Sequence, residues 1–345
     1  MKKIRTSIKY ATTPFWALTI ALFLTVFVAV PQATAKEPIV LKLSYPQPAP
    51  GFHGQGYTFF AKAVAEESNG EIEIKTYPSG SLVSDPEALD AVMQGNVDIA
   101  NFMVAYLTPT IKELTPFEIP GVYPGEKFWE LEKETQSIVQ KIFAKYGVKY
   151  LGMNDQDTIT FAANKKVGKP ISLPSDMKGL TVRTPGRWGG EAIKMWGGSP
   201  VTVPLGDLAV ALERGTIMVS YTGWIITGPF KLYESAPYVT MTDLQEMFAG
   251  LMMSEKAWKG LNPSQQAAIE RAAQRWMEFS HKLSGNLKQK FITTVKESGG
   301  EIYQLPAANE MEFRKVTKPL LEQVVKIAGP EGGELIPIFA KLRGE

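Results

Sequence analysis

Few residues of this chain carry side chains suited to chemistry, and their types decide what can be excluded. Among 345 residues there are two histidines and no cysteine. Thiol catalysis, cysteine-ligated zinc and iron–sulfur chemistry are therefore out of reach. His53 follows the first expected strand in a loop and could face a ligand, but a general base needs an orienting neighbour, and the sequence offers none nearby. His281 falls on a long helical stripe and reads as structural. No H-x-x-x-H pair, EF-hand loop, P-loop or G-x-S-x-G elbow occurs. Gly51, Gly54 and Gly56 have the wrong spacing for a dinucleotide fingerprint. Asp155 and Asp157 share one loop, where paired carboxylates are more often solvated than catalytic. With no nucleophile–base set, the expected function is binding without chemistry, with no cofactor and no metal.

The most informative binding residue is Arg183, in Gly179-Leu180-Thr181-Val182-Arg183-Thr184-Pro185. It ends an expected strand made otherwise of apolar and small residues. A guanidinium is always charged and matches a carboxylate bidentately. At a cleft mouth it would fix an acidic ligand; on a surface it would merely pair with a helix carboxylate.

The elements that must position such residues read as α/β. Leu41 and Leu43 alternate with polar neighbours, as do Ile72, Ile74 and Thr76, and both segments read as strands. Between them Tyr57, Phe60, Ala61 and Val64 share one helix face, closed at Asn69-Gly70. Ser84-Asp85-Pro86-Glu87 has capping-box spacing and opens a helix with Leu89, Val92 and Met93, closed by Gly95. Residues 97–103, 148–153, 158–163 and 180–184 read as strands, 200–203 as extended, and 191–196 and 207–214 as helices. One pattern recurs: helix, Gly95, strand to Asn101-Phe102; then helix, Gly215, strand to Tyr221-Thr222. Two lobes of similar build would each aim a strand's carboxyl end at a common place, where open α/β sheets bind ligands. Residues 263–298 carry Ala272, Trp276, Phe279, Leu283, Leu287, Phe291 and Val295 at spacings of three and four. They predict one helix about 50 Å long, long enough to lie across both lobes and weakened or bent at Gly285. A strand at 301–304 and helix from Ala308 complete the chain.

The first residues read as a leader. Lys2, Lys3, Arg5 and Lys9 precede an apolar run from Phe15 to Val30, then Ala33-Thr34-Ala35. Cleavage after Ala35 would place the protein in the periplasm. The whole chain has 37 basic and 35 acidic side chains. Without the leader's four cations it stays close to neutral, which argues against nucleic acid or anionic lipid as a partner.

Several segments in order resemble the solute-binding proteins of tripartite ATP-independent periplasmic (TRAP) transporters, the DctP-like family. They are Tyr77-Pro78-Ser79-Gly80-Ser81-Leu82, Val92-Met93-Gln94-Gly95-Asn96-Val97-Asp98-Ile99, Asp176 to Pro185, Trp196 to Pro204, and Ala209 to Gly215. The resemblance covers almost all of the chain beyond the leader. It implies a two-lobed periplasmic-binding-protein type II-like α/β fold with a long helix spanning both lobes. Lobe I would comprise residues 36–154 with about 240–280, and lobe II residues 155–239 with about 281–345. It further implies closure around a small organic acid and delivery to small and large integral membrane subunits driven by an ion gradient. Arg183 matches the family's principal carboxylate-binding arginine. Two positions depart: Thr222 stands where the family has a ligand-contacting asparagine, and Met218 where it has an acid. A second arginine expected around residues 154–158 is missing. The implied site is less cationic than a dicarboxylate binder's, with Asn101, Phe102, Trp188, Tyr221 and Trp224 as further lining candidates beside His53. It would suit a monocarboxylate, an aromatic or branched acid, or an amine-bearing ligand met by Asp155 or Asp157. The alternatives are a binding protein of an ATP-driven importer or of a sensor system, and a periplasmic α/β hydrolase, which would need a histidine–carboxylate pair.

Overall fold

The computed structural model describes residues 37–122, 127–154, 158–184, 186–203 and 205–344. The expected cleavage site and Asp155 and Asp157 lie outside them. The chain begins with β1 (Ile39–Ser44), in which Leu41 and Leu43 are buried and Val40 and Lys42 exposed. Then come α1 (Phe52–Glu67), β2 (Ile72–Tyr77), α2 (Ala88–Met93), β3 (Ile99–Met103), α3 (Val104–Leu107), α4 (Phe128–Lys145) and β4 (Val148–Asn154). The chain next builds β5 (Thr158–Ala163), β6 (Thr181–Arg183), α5 (Arg187–Met195), β7 (Ser199–Val201), α6 (Leu205–Arg214), β8 (Val219–Gly223), α7 (Trp224–Thr227) and β9 (Tyr238–Glu246). Last are β10 (Ala249–Ser254), α8 (Glu255–Lys259), α9 (Pro263–Glu297), β11 (Glu301–Gln304), α10 (Ala307–Ile327) and α11 (Gly329–Arg343).

Two mixed sheets result. One has the order β2-β1-β3-β10-β4 and the other β11-β9-β5-β8-β6-β7. The recurrence read from the sequence is real in three dimensions. Gly95 and Gly215, at φ of +72° and +75°, turn the chain out of α2 and α6. These are left-handed conformations that glycine adopts without a Cβ penalty. Each following strand, β3 or β8, has a parallel neighbour on one side (β1 or β6) and an antiparallel one on the other (β10 or β5). Each then runs straight into a one-turn helix, α3 or α7.

The chain passes between the sheets three times: from β4 to β5, from β9 to β10 across Met247-Phe248, and along α9. Asn262 caps α9, its side chain accepting from the Gln265 N–H at 3.0 Å, and Gln265 reciprocates on the Asn262 N–H at 3.0 Å. The helix packs its first half on α1 and β4, and its second half on α7 and β11. It stays helical through Gly285. Gly285 therefore does not interrupt the helix. The last helix, α11, packs on α4 and on the 3₁₀ segment Lys112–Glu118.

Candidate functional site

Arg183 is the last residue of β6, in register with Ser220 of β8 and Val201 of β7. The strand interior forces its direction: Val182 is buried in the core, so Arg183 points to the opposite face. Its Nη1 donates to Thr222 Oγ1 at 3.3 Å and its Nε to the Val203 carbonyl at 3.3 Å. Only 6 % of the residue is exposed. Both acceptors are neutral, and no ion pair to Arg183 occurs among the described residues. Burial lowers the guanidinium's pKa, and among the described residues Tyr106 of α3 opposes it. The group remains charged at any physiological pH. Taking such an ion out of water costs several kcal/mol unless an anion meets it.

Tyr106 belongs to α3, which directly follows β3. Burial raises the Tyr106 pKa first; Asp85 raises it further and Arg183 lowers it. The phenol thus stands where it feels both a carboxylate and a guanidinium. Asp85 lies in the 3₁₀ turn Asp85–Glu87. Its Oδ1 accepts from Asn101 Nδ2 at 3.0 Å. Asn101 Oδ1 in turn accepts a short hydrogen bond from the hydroxyl of Tyr57 on α1. Burial pushes the Asp85 carboxyl up to about 6, against the opposing Asn101 hydrogen bond.

The expected lining residues divide by the alternation of strands. Thr222 joins Arg183, and Asn101 joins Tyr57 and Asp85. Their neighbours Tyr221 and Phe102 point to the other faces. Tyr221 donates to Gln245 Oε1 at 2.9 Å and stacks on Phe161 at 5.1 Å. Gln245 Nε2 donates onward to the Glu118 carbonyl at 2.8 Å. Phe102 packs against Phe143 and Tyr150, at 5.2 and 6.2 Å. Trp188 is buried in the same core, with the Arg187 guanidinium 5.2 Å from its ring centre. Its backbone N–H donates to Glu118. Burial pushes Glu118 up to about 7, against that bond and one from the Thr108 hydroxyl at 2.8 Å. Gly186 is required here, since a Cβ would stand 2.3 Å from Glu118 Oε1.

Trp224 stacks on Phe291 of α9 at 6.1 Å and, with Phe52, Ile225, Leu287 and Lys290, lines an apolar cavity of about 310 Å³. His53 is not in a loop. It sits buried in the first turn of α1, 5.3 Å from the Phe52 ring and 6.1 Å from Tyr57. The helix starts earlier than its apolar stripe because Gly54 lacks a side chain: a Cβ there would lie 2.0 Å from the Ala49 carbonyl oxygen. The proline-rich segment can therefore fold back onto the first turn. Sequence reasoning did not single out Asp85, Tyr106 or Tyr57 as site residues. Asp85 was absorbed into the capping box, and Tyr57 into the apolar face of α1.

Residues 46–327 match the sequence model of DctP, the bacterial extracellular solute-binding proteins of family 7. The chain belongs to this family. It is a family of solute-binding proteins and not of enzymes, and the resemblance to TRAP receptors read from the motifs is borne out. The C4-dicarboxylate-binding periplasmic protein DctP of Rhodobacter capsulatus is 23% identical over 303 residues, covering 86% of this chain and 89% of that protein. The ectoine-binding periplasmic protein TeaA of Halomonas elongata is 22% identical over 300 residues, covering 84% and 86%. Among solved structures, a TRAP periplasmic solute-binding protein from Ochrobactrum anthropi superposes with a TM-score of 0.82 at 24% identity, covering 89% of this chain and 97% of that one. That structure has its C-terminus bound in the ligand-binding pocket. The two-lobed fold with its long helix is shared with this TRAP solute-binding protein.

Proposed function

We propose that this family-7 protein is the periplasmic receptor of a TRAP transporter and captures a small organic acid whose carboxylate is clamped by Arg183. The observation that carries this reading is a buried guanidinium whose protein partners are two neutral oxygens. A carboxylate would replace the lost hydration with charge-assisted, bidentate hydrogen bonds. The relatives' named ligands support it: a C4-dicarboxylate in one, ectoine in another, and a polypeptide C-terminus in the third. Residues 1–35 serve as a cleaved export leader. Lobe I takes residues 36–154 with about 240–280, and lobe II residues 155–239 with about 281–345. Ligand bridging the lobes stabilises closure, and the closed form is what the small and large membrane subunits recognise.

A thermal-shift screen of residues 36–345 against small carboxylic acids tests the reading, with Arg183→Ala as control. An acid at about a hundred times its dissociation constant adds roughly 2.7 kcal/mol to stability. The expected result is a shift with one class of acid that disappears in the variant. Equal shifts in both proteins would remove Arg183 from the site.

A further inference from the structure

One buried carboxylate ties elements of the two sheets together. Glu118 ends the 3₁₀ segment Lys112–Glu118 and is 5 % exposed. Its Oε2 accepts from the Thr108 hydroxyl at 2.8 Å. Thr108 caps the end of α3, which leaves β3 of the five-stranded sheet. The same carboxyl group accepts from the backbone N–H of Trp188. Trp188 stands in the first turn of α5, which follows β6 of the six-stranded sheet. The two sides meet closely here: a Cβ on Gly186 would lie 2.3 Å from Glu118 Oε1 and 3.6 Å from the Ala105 Cβ of α3. The Glu118 carbonyl is engaged as well, by Gln245 Nε2 of β9 at 2.8 Å. Gln245 lies just before Met247-Phe248, where the chain crosses from one sheet to the other. Glu118, Gln245, Thr184 and Gly189 line one small cavity of about 20 Å³. Thr184 follows Arg183 directly, so the turn that Glu118 holds is the turn that leaves Arg183.

We infer that Glu118 is a positioning residue, a proton-dependent pin between α3 and α5 that sets how the two sheets stand to each other. This goes beyond the carboxylate reading of Arg183 and does not depend on it. Hydrogen bonds from Thr108 and Trp188 favour the ionised carboxyl group, while burial disfavours it. Burial prevails and pushes Glu118 up to about 7. Parting α3 from α5 would let water reach the group and return it toward ordinary acidity. The pinned arrangement therefore holds a proton that the parted one releases. It is favoured fully below about pH 4.5, and the advantage is lost as pH rises through about 7. The neighbouring charges are accounted for. Arg187 of α5 favours the anion. Glu246 of β9 lines the same cavity. Arg314 of α10 is 3.8 Å from Glu310 and donates to the Gly121 and Asp243 carbonyls. Glu113, on Glu118's own segment, and Glu331 of α11 both face Lys145, and α3 contributes the phenol Tyr106.

The chain has no cysteine, so two spin labels can be placed without background. Met93 on α2 and Val210 on α6 are each 44 % exposed and lie on the helices that precede β3 and β8. The test is electron–electron distance spectroscopy on residues 36–345 carrying Met93→Cys and Val210→Cys, refolded from denaturant to remove carried-over ligand. Distances are read from about pH 8.5 down to about pH 5, across the window in which Glu118 takes up its proton. The expected result is that the share of molecules at the separation of this structure rises about threefold or more over that range. Glu118→Gln, uncharged at every pH, should keep the acidic distribution throughout. Glu118→Ala, which offers neither Thr108 nor Trp188 an acceptor, should lose it at every pH. A melting temperature for Glu118→Gln close to wild type at about pH 5 supports the assignment, since the amide then stands in for the protonated acid. A wild-type distribution that does not move with pH would overturn the inference, as would a Glu118→Gln protein that moves as wild type does. The readout uses no ligand, so failure of the Arg183 clamp shows separately, in the screen of acids.

Discussion

Replacing Arg183 by methionine should stabilise the ligand-free protein while abolishing its response to ligand. The guanidinium is 6 % exposed and its two hydrogen bonds, both 3.3 Å, go to Thr222 Oγ1 and the Val203 carbonyl. Burying an ion costs several kcal/mol after relaxation. Each of the two bonds, charge-assisted but long at 3.3 Å, returns no more than the low end of about 1.5–3 kcal/mol. Methionine has a similar reach and no charge. It removes the desolvation cost and keeps the apolar stem packed, but it takes a donor from Thr222 and from Val203. The balance is a gain of about 1–2 kcal/mol, in line with apolar replacements of buried charges elsewhere. At about 2–4 °C per kcal/mol, the melting temperature of the stripped protein should rise by a few degrees. Differential scanning calorimetry of refolded wild type and Arg183→Met reads this directly. A stripped variant about 2 kcal/mol less stable than wild type would refute the reasoning, because it would mean that the protein itself satisfies the guanidinium.

Two other perturbations test the fold's own chemistry. Glu132 on α4 is buried, accepts from the Tyr150 hydroxyl at 2.9 and 3.0 Å, and is pushed up to about 7, chiefly by burial. The folded state therefore binds this proton more tightly than the unfolded chain, and its contribution to stability is lost as pH rises from about 4.5 to 7. Glu132→Gln should be roughly 1–3 kcal/mol more stable than wild type at pH 8. The advantage should shrink toward pH 4.5 in denaturant melts, and a constant difference across that window would contradict the assignment. Gly285 lies mid-helix in α9 with no atom within 4 Å of a Cβ built on it. Gly285→Ala should add about 0.5–1 kcal/mol in a thermal melt through helix propensity alone. A loss would reveal a bend that α9 requires.

Legibility followed how far local pattern decides structure. The long helix was readable within a residue because a capped start, a 3.6-residue stripe and a glycine end agree over 35 residues. The alternating strands β1 and β2 were readable because one face of each is wet. β9 and β10 had no such signal. β10 is buried on both faces, and only Met247-Phe248 separates the two strands, with no turn residue to mark where the chain changes sheets. Helix α5 begins at Arg187 and not near Glu191, because Gly189 and Gly190 mask its start. Gly189 must be small, as a Cβ would lie 2.4 Å from Thr184 Oγ1.

The same limits apply at the site. Arg183 was legible as a charged residue ending an otherwise apolar strand, and Thr222 through the resemblance to the TRAP family. Tyr221 and Phe102 neighbour Thr222 and Asn101 in sequence, but on a strand only every second residue faces one side, and both pack into the core. Asp85 was hidden because its sequence context, Ser84 to Glu87, is fully explained by helix capping. Its hydrogen bond from Asn101, sixteen residues later, is visible only in the folded chain.

The most direct test of the central claim is a crystal structure of residues 36–345 with the acid that gives the largest thermal shift. The account predicts both carboxylate oxygens within about 2.7–3.2 Å of the Arg183 guanidinium nitrogens, with the ligand bridging the two lobes beside Thr222 and Tyr106. A ligand carboxylate held elsewhere, with Arg183 still bonded only to Thr222 and Val203, would contradict it.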